Sequence, residues 1–393
     1  MALNPKTFML IAGEASGDLL AAELVSALRE QIPSSILHPP SSPFFFGAGG
    51  SRMAAAGVEL AFDLTQHSVI GISDVLKNYF KFRRLFNQLL ALAIERKPDA
   101  VIGVDYGGFN LRFGHAVREY IRDNPFANWN PKIIQFVSPQ VWASRPGRAN
   151  VLAADYDLLL SIFPFEKDWY ARRVPKLRVE FVGHPMVDRS PKSGVQSPKS
   201  ENAAPTVLLL PGSRKSELQR HLPVMLGSLK LIREKLPSAK AKMVLPDEAL
   251  NQLAAKLSAL PSDMEIQTGN LPQALAQADV AIASTGTVTM ECAFFGVPTV
   301  TLYKTSWSTY QIAKRIVKVK WLTMPNILAD EEIYPEFVQD AATAEHIADA
   351  ALELLQNEPR RIQIKKRLAE VVSSLGGPGA NMRAAAAILS LFS

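Results

Sequence analysis

The chain of 393 residues is 48% hydrophobic and carries a formal net charge of +6. At roughly 150 residues per domain, this length predicts two or three domains, each with enough apolar residues for a core. The single cysteine excludes an internal disulfide and a multi-cysteine zinc site, and no apolar run reaches the roughly 18 residues that a membrane-spanning helix requires. Because the amino terminus also lacks the pattern of a secretory signal, we expect a cytoplasmic protein.

The first half of the chain alternates apolar strand candidates with longer helical stretches. The helical stretches include residues 19–31 and 109–122, and the strand candidates are residues 8–12, 100–104, 132–137, 158–163 and 179–182. This alternation predicts a parallel sheet with helices on both faces. Ligands bind such sheets beyond the carboxyl ends of the strands, and the motifs described next follow strands there.

The turn after the first strand reads Gly13-Glu-Ala-Ser-Gly-Asp18. Backbone amides in this turn and at the start of the next helix are suited to holding an oxyanion or a phosphate. The spacing differs from the dinucleotide fingerprint, and Glu14 would place a carboxylate where a pyrophosphate must approach. In the alternative interpretation, Ser16 or Asp18 only caps the helix and the glycines only turn the chain.

A basic aromatic segment occupies residues 68–90, in which Ile70, Val75, Leu76 and Phe80 are interleaved with Lys and Arg. Basic residues beside aromatic residues on a helix are typical of a surface for an anionic membrane or an amphipathic lipid. The alternative is a core helix with a solvated basic edge. Nucleic acid is disfavoured as a partner, because no recognised binding module accompanies the segment.

Asp105 ends the strand candidate at residues 100–104 and is followed by a flexible turn with two glycines. A carboxylate at this position is a candidate general base, able to take a proton from an attacking hydroxyl within hydrogen-bond reach. Alternatively, Asp105 caps the following helix.

Asp155 and Asp157 form a D-x-D pair, the pattern by which some glycosyltransferases bind a divalent cation. The pair leads directly into the strand candidate at 158–163, so alternation would point the two acids to opposite sides. We therefore expect no metal site here.

Residues 190–205 are rich in Ser, Pro, Lys and Gly, which is the composition of a solvated linker. Beyond it, strand candidates recur at residues 206–210, 242–245, 280–283 and 298–302. The chain is therefore predicted to fold as two α/β domains of similar size, with large ligands in the cleft between them.

Two turns in the second half are suited to a nucleoside diphosphate. Leu210-Pro-Gly-Ser-Arg214 places a cation beside a Gly-Ser turn, and Ala283-Ser-Thr-Gly-Thr287 supplies amides and hydroxyls. The turns would hold phosphate, Arg214 would neutralise it, and Glu291, four residues after Thr287, would accept hydrogen bonds from the ribose hydroxyls. The alternative is a pair of ordinary turns capped by Ser and Thr.

Taken in order and spacing, these motifs and several others resemble the lipid-A-disaccharide synthase family over nearly the whole chain. The other motifs are Phe46-Gly-Ala-Gly-Gly50, Ser68-Val-Ile-Gly-Ile-Ser-Asp-Val-Leu76, Ser138-Pro-Gln-Val-Trp-Ala143, Phe163-Pro-Phe-Glu166, Phe181-Val-Gly-His-Pro185, Pro325-Asn326 and Gly376-Gly-Pro-Gly-Ala380.

The resemblance implies a GT-B architecture, with two Rossmann-like parallel-sheet domains facing a central cleft. It assigns residues 1–188 to an acceptor domain and residues 206–372 to a UDP-sugar domain, with a linker at 189–205. Residues 373–393 would form a helix that packs back on the first domain or on a partner.

The implied reaction is an inverting, metal-independent transfer of 2,3-diacylglucosamine from UDP to 2,3-diacylglucosamine 1-phosphate, without a cofactor. The implied catalytic residues are Asp105 as the base, Glu14 and Arg214. The nucleotide side would comprise Gly212, Ser213, Arg214, Ser284, Thr285, Gly286, Thr287, Glu291 and Asn326. The acceptor and lipid side would comprise Ser16, Gly17, Asp18, Ile70, Asp74, Val75, Leu76 and Phe80. Peripheral attachment to the cytoplasmic face of the inner membrane and a homodimer are further expectations.

Some positions depart from the family pattern. Asp74 stands where Glu is usual, Gly107 where Pro is usual, Ser144 where Trp is usual, and Thr285 where Ser is usual. These departures leave the identity of the acceptor and the acyl-chain preference open. The rival functions are another GT-B enzyme, such as a glycosyltransferase of peptidoglycan lipid synthesis or a UDP-sugar epimerase, and a non-catalytic lipid-binding protein.

Overall fold

The computed structural model describes residues 6–32, 44–67, 72–189 and 204–392, without the side chains of residues 67 and 72–79. The chain divides into two compact units, one of residues 1–188 with 375–393 and the other of residues 189–374. Each unit is built on a parallel sheet flanked by helices, which confirms the predicted fold class. In the described ranges, no helix has the length and apolarity needed to cross a membrane.

The first unit contains a seven-stranded sheet in the order β3-β2-β1-β4-β5-β6-β7. Its strands are β1 (Phe8–Ala12), β2 (Phe45–Gly49), β3 (Glu59–Asp63), β4 (Ala100–Val104), β5 (Lys132–Phe136), β6 (Leu158–Ser161) and β7 (Val179–Phe181). Its helices are α1 (Ala15–Gln31), α2 (Ser51–Ala55), α3 (Ile72–Arg96), α4 (Gly107–Asp123), α5 (Val141–Ser144), α6 (Arg148–Asp155), α7 (Pro164–Ala171) and α8 (Met186–Arg189).

The second unit contains a six-stranded sheet in the order β10-β9-β8-β11-β12-β13. Its strands are β8 (Thr206–Leu210), β9 (Lys240–Leu245), β10 (Glu265–Thr268), β11 (Val280–Ser284), β12 (Thr299–Tyr303) and β13 (Glu336–Val338). Its helices are α9 (Lys215–Lys235), α10 (Glu248–Leu257), α11 (Leu271–Gln277), α12 (Val288–Phe294), α13 (Trp307–Ile316), α14 (Met324–Ala329), α15 (Ala344–Gln356) and α16 (Glu358–Ser374).

The strand order of each sheet reverses at one pair of strands. The turns that follow these two strands, which carry the predicted site residues, therefore lie side by side. In the first unit β1 pairs with β4, with Ala12 opposite Val104. In the second unit β8 pairs with β11, with Leu210 opposite Ala283. Crossovers leave in opposite directions from such a pair, so the carboxyl ends of its strands border an open crevice in which ligands bind.

The terminal helix α17 (Ala380–Leu389) belongs to the first unit, where it packs on α1. The carboxylate of Asp188 accepts the backbone N–H groups of Gly379, at 2.5 Å, and Ala380, at 3.1 Å, and so caps the amino end of this helix. Near its carboxyl end, Phe392 meets Phe8 of β1 edge to face at 6.1 Å. The predicted linker falls mainly on residues 190–203, which lie outside the described part of the chain.

Candidate active site

The ends of β1 and β4 bring the Glu14 turn and the Asp105 turn together. A Cβ added to Gly13 would lie 2.3 Å from the ring of Tyr106, so only glycine leaves room for that ring. A Cβ on Gly17 would lie 3.6 Å from the Cβ of Asp105, which places the first turn of α1 against the base candidate. The structure therefore assembles Glu14, Gly17 and Asp105 at one edge of the first sheet.

The Asp105 turn has a strained backbone. Asp105 and Tyr106 have φ values of 50° and 44°, in the left-handed region that few non-glycine residues adopt. The β-branched Val137, after the neighbouring strand β5, has a φ of 66°. Strain of this kind persists only where the surroundings impose it, and it concentrates at functional sites.

Two buried amide side chains, hereafter the amide clamp, impose this conformation. The Nδ2 of Asn110 and the Nε2 of Gln135 donate to the backbone carbonyl of Asp105 at 2.8 and 2.9 Å. Gln135 also donates to the carbonyl of Val137 at 3.2 Å. Within the described residues, the Oδ1 of Asn110 and the Oε1 of Gln135 have no hydrogen-bond partner. The clamp thus fixes the turn at the expense of two unpaired buried oxygens.

The half-buried carboxyl of Asp105 has chemistry that matches a general base. Burial raises its pKa, the negative charge of Glu14 raises it further, and a hydrogen bond from the backbone of Tyr106 opposes the rise. A base works best when its pKa approaches the operating pH, so both causes move Asp105 toward the range that proton abstraction needs. Perturbation by burial and a specific charge partner is characteristic of functional sites.

Asp18, predicted on the acceptor side, has a structural task in the first unit. Its buried carboxylate accepts the backbone N–H groups of Gly50, Arg52 and Met53 at 2.7, 3.0 and 3.1 Å, at the amino end of α2. It therefore caps α2 rather than its own helix. Ser16, two residues earlier, is exposed.

The basic aromatic segment lies largely on α3. Ile70 and the side chains of Asp74, Val75 and Leu76 are outside the described residues. Phe80 is 79% exposed and borders a surface groove of about 540 Å³ lined also by Arg83, Arg84, Asn87, Gln88 and Ala91.

An aromatic row joins α3 to the Asp105 turn. Phe86 packs edge to face on Phe109 with 5.4 Å between the ring centroids, and Phe109 stacks on Tyr106 at 5.7 Å. The helix that carries the exposed Phe80 is thus connected through packed rings to the residue beside the base candidate.

In the second unit, the turn after β8 holds a carboxylate that sequence analysis missed. Gly212 has a φ of 117°, and a Cβ there would lie 2.4 Å from the Oε2 of Glu217. That oxygen accepts the backbone N–H of Ser213 at 3.0 Å, and the Oε1 of Glu217 lies 3.5 Å from the guanidinium of Arg214. Arg214 is 54% exposed, so its cation faces solvent beside a paired acid. The position of Glu217 as the third residue of α9 was the sequence signal that could have predicted this contact, since a Glu there commonly accepts a backbone N–H at the start of the helix.

His221 on α9 joins two strand-end loops behind this turn. Its Nδ1 lies 2.9 Å from the carbonyl of Pro211, and its Nε2 accepts the backbone N–H of Lys304 at 3.0 Å. Only a neutral ring with its proton on Nδ1 satisfies both bonds. Burial is the largest effect on the ring and lowers its pKa, which favours this neutral form.

The turn after β11 places its predicted residues on the neighbouring strand end. Ser284 is buried, Thr285 is half-buried, and Gly286 and Thr287 are exposed ahead of α12. The carboxyl of Glu291 is half-buried on that helix. Burial raises its pKa, and the positive charge of Arg189 opposes the rise.

Asn326 is fully buried, and its amide is occupied within the second unit. Its Nδ2 donates to the carbonyl of Tyr334 and to Glu336 at 2.8 and 2.9 Å. Its Oδ1 accepts the N–H groups of Ile333 and Tyr334, each at 2.9 Å. It therefore shapes the loop that follows α14 and presents no amide group to a ligand.

A buried acid explains two of the motifs. Glu166 accepts the indole N–H of Trp142 at 3.0 Å and the backbone N–H of Phe163 at 3.3 Å, while Ser138 lies 3.1 Å from the hydroxyl of Tyr170. Burial raises the pKa of Glu166 to about 7 despite these hydrogen bonds.

This network lies next to the Asp105 turn. Pro139 follows Ser138 directly and contacts Gly107, where an added Cβ would lie 2.6 Å from the proline ring. The motifs at residues 138–143 and 163–166 therefore pack against the turn that carries Asp105.

The acids of the D-x-D pair are engaged by neighbouring groups of the first unit. Asp155 lies 2.9 Å from the Nδ1 of His115, and Asp157 accepts from Arg118 at 2.6 Å and from the backbone N–H of Ile133 at 2.7 Å. Across the ranges that the structure describes, no group of three or more His, Cys, Asp and Glu side chains is placed to hold a metal ion.

Comparison with known proteins identifies relatives along the entire chain. A family profile described as lipid-A-disaccharide synthetase matches residues 8–390. The lipid-A-disaccharide synthase of Trichlorobacter lovleyi is 34% identical over 395 residues, covering 99% of this chain and 98% of the relative. That of Myxococcus xanthus is 33% identical over 394 residues, covering 99% and 98%.

Solved structures with the same fold are more distant in sequence. The S. aureus MnaA–UDP co-structure has a TM-score of 0.64 at 12% identity, covering 98% of this chain and 96% of that one. The glycotransferase of kitacinnamycin has a TM-score of 0.61 at 18% identity, covering 98% and 99%. These likenesses establish the GT-B fold.

Proposed function

Because the chain belongs to the lipid-A-disaccharide synthetase family, we propose that it transfers 2,3-diacylglucosamine from UDP-2,3-diacylglucosamine to 2,3-diacylglucosamine 1-phosphate. The products are lipid A disaccharide 1-phosphate and UDP. The observation that carries the proposal is the Asp105 carboxyl, which is held on a strained turn and has a pKa raised by burial and by Glu14.

In the proposed reaction, Asp105 takes the proton from the acceptor's 6-hydroxyl. The acceptor oxygen then forms a bond to the anomeric carbon of the donor as the bond from that carbon to the UDP oxygen breaks. Attack opposite the leaving group inverts the anomeric configuration. The strained turn supports this role, because a base held in place does not lose reach through backbone motion.

The second unit is proposed to bind the UDP part of the donor. Backbone amides at Gly212, Ser213 and the 284–287 turn, together with the cation of Arg214, would stabilise the negative charge that develops on the departing pyrophosphate. Glu291 is proposed to accept hydrogen bonds from the ribose hydroxyls. Asn326 is proposed to act indirectly, by holding the loop after α14 through its four internal hydrogen bonds.

The first unit is proposed to receive the acceptor and to contact the cytoplasmic face of the inner membrane. The exposed Phe80 and the nearby Arg83 and Arg84 support this, since a ring and cations suit the boundary between acyl chains and anionic headgroups. Ser16 and Gly17 at the start of α1 remain candidates for the acceptor sugar.

The testing experiment mixes both lipid substrates with the full chain and a metal chelator, and follows the disaccharide and UDP by mass spectrometry. We expect disaccharide in the presence of chelator. Product only after addition of a divalent cation would overturn the metal-independent mechanism. UDP binding without product would indicate a transferase with a different acceptor.

A UDP-sugar epimerase is the second candidate, because a UDP-GlcNAc 2-epimerase from Neisseria meningitidis, solved with UDP-GlcNAc, shares the fold with a TM-score of 0.61 at 11% identity. An epimerase would convert free UDP-N-acetylglucosamine, whereas the proposed enzyme should leave that unacylated sugar unchanged. Incubation with this sugar alone separates the two functions.

A further inference from the structure

The helix α13 has no buried residue, although it lies within the folded second unit. It spans ten residues, and a helix this short is marginal in water unless one face is packed. Its amino end is capped, since the Oγ of Ser306 accepts the backbone N–H of Thr309 at 3.2 Å. The helix is therefore well defined at its start but largely uncovered along its length.

Large apolar side chains face outward on α13 and on the segment that follows it. Trp307 is 74% exposed and Ile312 is 50% exposed, and Val317 and Leu322 are each 36% exposed. A single exposed apolar residue is ordinary, whereas four within sixteen residues are a concentration that favours an apolar partner.

The same segment is uniformly basic. Residues 305–329 contain four cations and no Asp or Glu, the cations being Lys314, Arg315, Lys318 and Lys320. Among the described residues, no ion pair involves any of the four, and Lys320 lies over the ring of Trp321 at 4.6 Å. The segment itself thus holds no carboxylate to offset its cations, and the neighbouring Glu336 is bound to the backbone N–H of Leu322, at 2.8 Å, at its far end.

We infer that residues 307–322, hereafter the α13 surface, dock on an anionic lipid bilayer. A tryptophan and aliphatic side chains interleaved with Lys and Arg fit the boundary between headgroups and acyl chains, and the missing acids remove repulsion from the phosphates. An acidic protein would satisfy the cations but would not account for the exposed Trp307. The inference rests on the proposed function, because the proposed lipid substrates lie in a membrane. It adds a membrane contact in the second unit to the membrane contact proposed for α3 in the first unit.

The test uses the full chain with vesicles of phosphatidylethanolamine and phosphatidylglycerol in which the acyl chains are brominated. Bromine quenches a tryptophan that enters the acyl region, so vesicle binding should quench the fluorescence of Trp307. Trp307→Phe should remove most of this quenching, while Trp129→Phe, which changes a buried tryptophan, should leave it intact. Vesicle binding with no quenching that depends on Trp307 would overturn the inference.

Partitioning between vesicles and solution provides a second readout. We expect Trp307→Ser with Ile312→Ser to weaken binding about tenfold, since two large apolar side chains no longer leave water. Lys314→Glu with Lys318→Glu should weaken it by a similar factor, about tenfold, and most strongly at low salt. Phe126→Ser is the matched control, because Phe126 is 98% exposed but lies outside the α13 surface.

Three outcomes count against the inference. These are unchanged partitioning of both double variants, equal binding to purely neutral vesicles, and binding of an acidic protein but not of vesicles. Transfer between detergent-dispersed substrates, measured in parallel, reports the proposed function separately. Normal transfer with no vesicle contact at Trp307 would overturn only the α13 surface, and vesicle contact without transfer would overturn only the proposed reaction.

Discussion

The two strand-end sites of this chain are built in opposite ways. At the β1–β4 edge, non-glycine residues occupy left-handed conformations, two buried amides hold them, and a carboxyl lies beside a like charge. At the β8–β11 edge, Gly212 adopts the unusual conformation without a side chain, and Arg214 is more than half exposed. The β1–β4 site lowers the stability of the fold in order to fix one functional group, the Asp105 carboxyl. The β8–β11 site presents amides and a cation to an anion with little backbone strain.

The largest test of this contrast is Asp105→Asn, which removes the base but keeps the turn, since Asn tolerates left-handed conformations. We expect transfer to fall about a thousandfold, the usual scale for loss of a general base, with UDP affinity nearly unchanged. Transfer rates and UDP titration calorimetry on the same preparation measure both. A parallel loss of UDP binding, or of the folded state, would contradict the assignment of Asp105 as the base.

The opposite result is expected for Arg214→Ala in the second unit. Loss of a charge-assisted contact to phosphate should weaken UDP binding about tenfold to a hundredfold. The matched control is Arg220→Ala on the helix that follows the turn, where the guanidinium donates to the backbone carbonyl of Ser216 at 3.0 Å. Equal effects of the two variants would show that general charge, not the turn after β8, determines affinity.

Glu166, the buried acid next to the Asp105 turn, should make the free energy of unfolding depend on pH. Because the pKa of Glu166 rises from 4.5 to about 7 on folding, the folded state holds the proton more tightly, and stability falls as pH rises through this window. Glu166→Gln does not titrate, so its free energy of unfolding should gain about 3 kcal/mol on the parent protein across the window. Urea unfolding at the two ends of the window measures this gain.

The exposed Glu30 provides the comparison for that experiment. Glu30→Gln should follow the parent protein at both pH values. A Glu166→Gln difference that does not change with pH would mean that the carboxyl has the same pKa in the folded and unfolded chains.

The finest test concerns the like charge at the first site. Glu14 raises the pKa of Asp105, and the base must be deprotonated to act, so transfer falls on the acid side as Asp105 takes up its proton. Glu14→Gln should therefore move the acid limb of kcat/KM to lower pH. Glu30→Gln, at an exposed position on the helix that follows Glu14, should leave the limb in place. A limb that moves to higher pH would exclude Glu14 as the neighbour that raises this pKa.

Most strands were readily predicted from sequence, the edge strand β7 included, whereas β2, β3, β10 and β13 were missed. The predictions for β1, β4 and β8 match the observed bounds, because each is a continuous apolar run that the sheet buries. The strands β3, β10 and β13 are edge strands with no buried residue, and β2 contains two glycines, so none carries that pattern.

The sequence was enough to predict the types of residue at the site, but not their backbone conformations or hydrogen-bond partners. The position of Asp105 after a strand could be found from sequence, but its left-handed backbone depends on Asn110 and Gln135, which are five and thirty residues away in the chain. Likewise, the family resemblance placed Asn326 on the nucleotide side, whereas the fold uses its side-chain amide internally. Such assignments depend on long-range packing, which no local pattern encodes.

The bridge made by His221 has a consequence for how local motions are shared. Its ring ties the carbonyl of Pro211, just after β8, to the backbone N–H of Lys304, just after β12, and β11 lies between those strands. The two loops must therefore open together or break a buried hydrogen bond. A ligand that reduces the opening of the turn after β8 should also slow hydrogen exchange at the Lys304 amide. The end of β12 has no proposed ligand contacts, yet its exchange rate would report whether the nucleotide site is occupied.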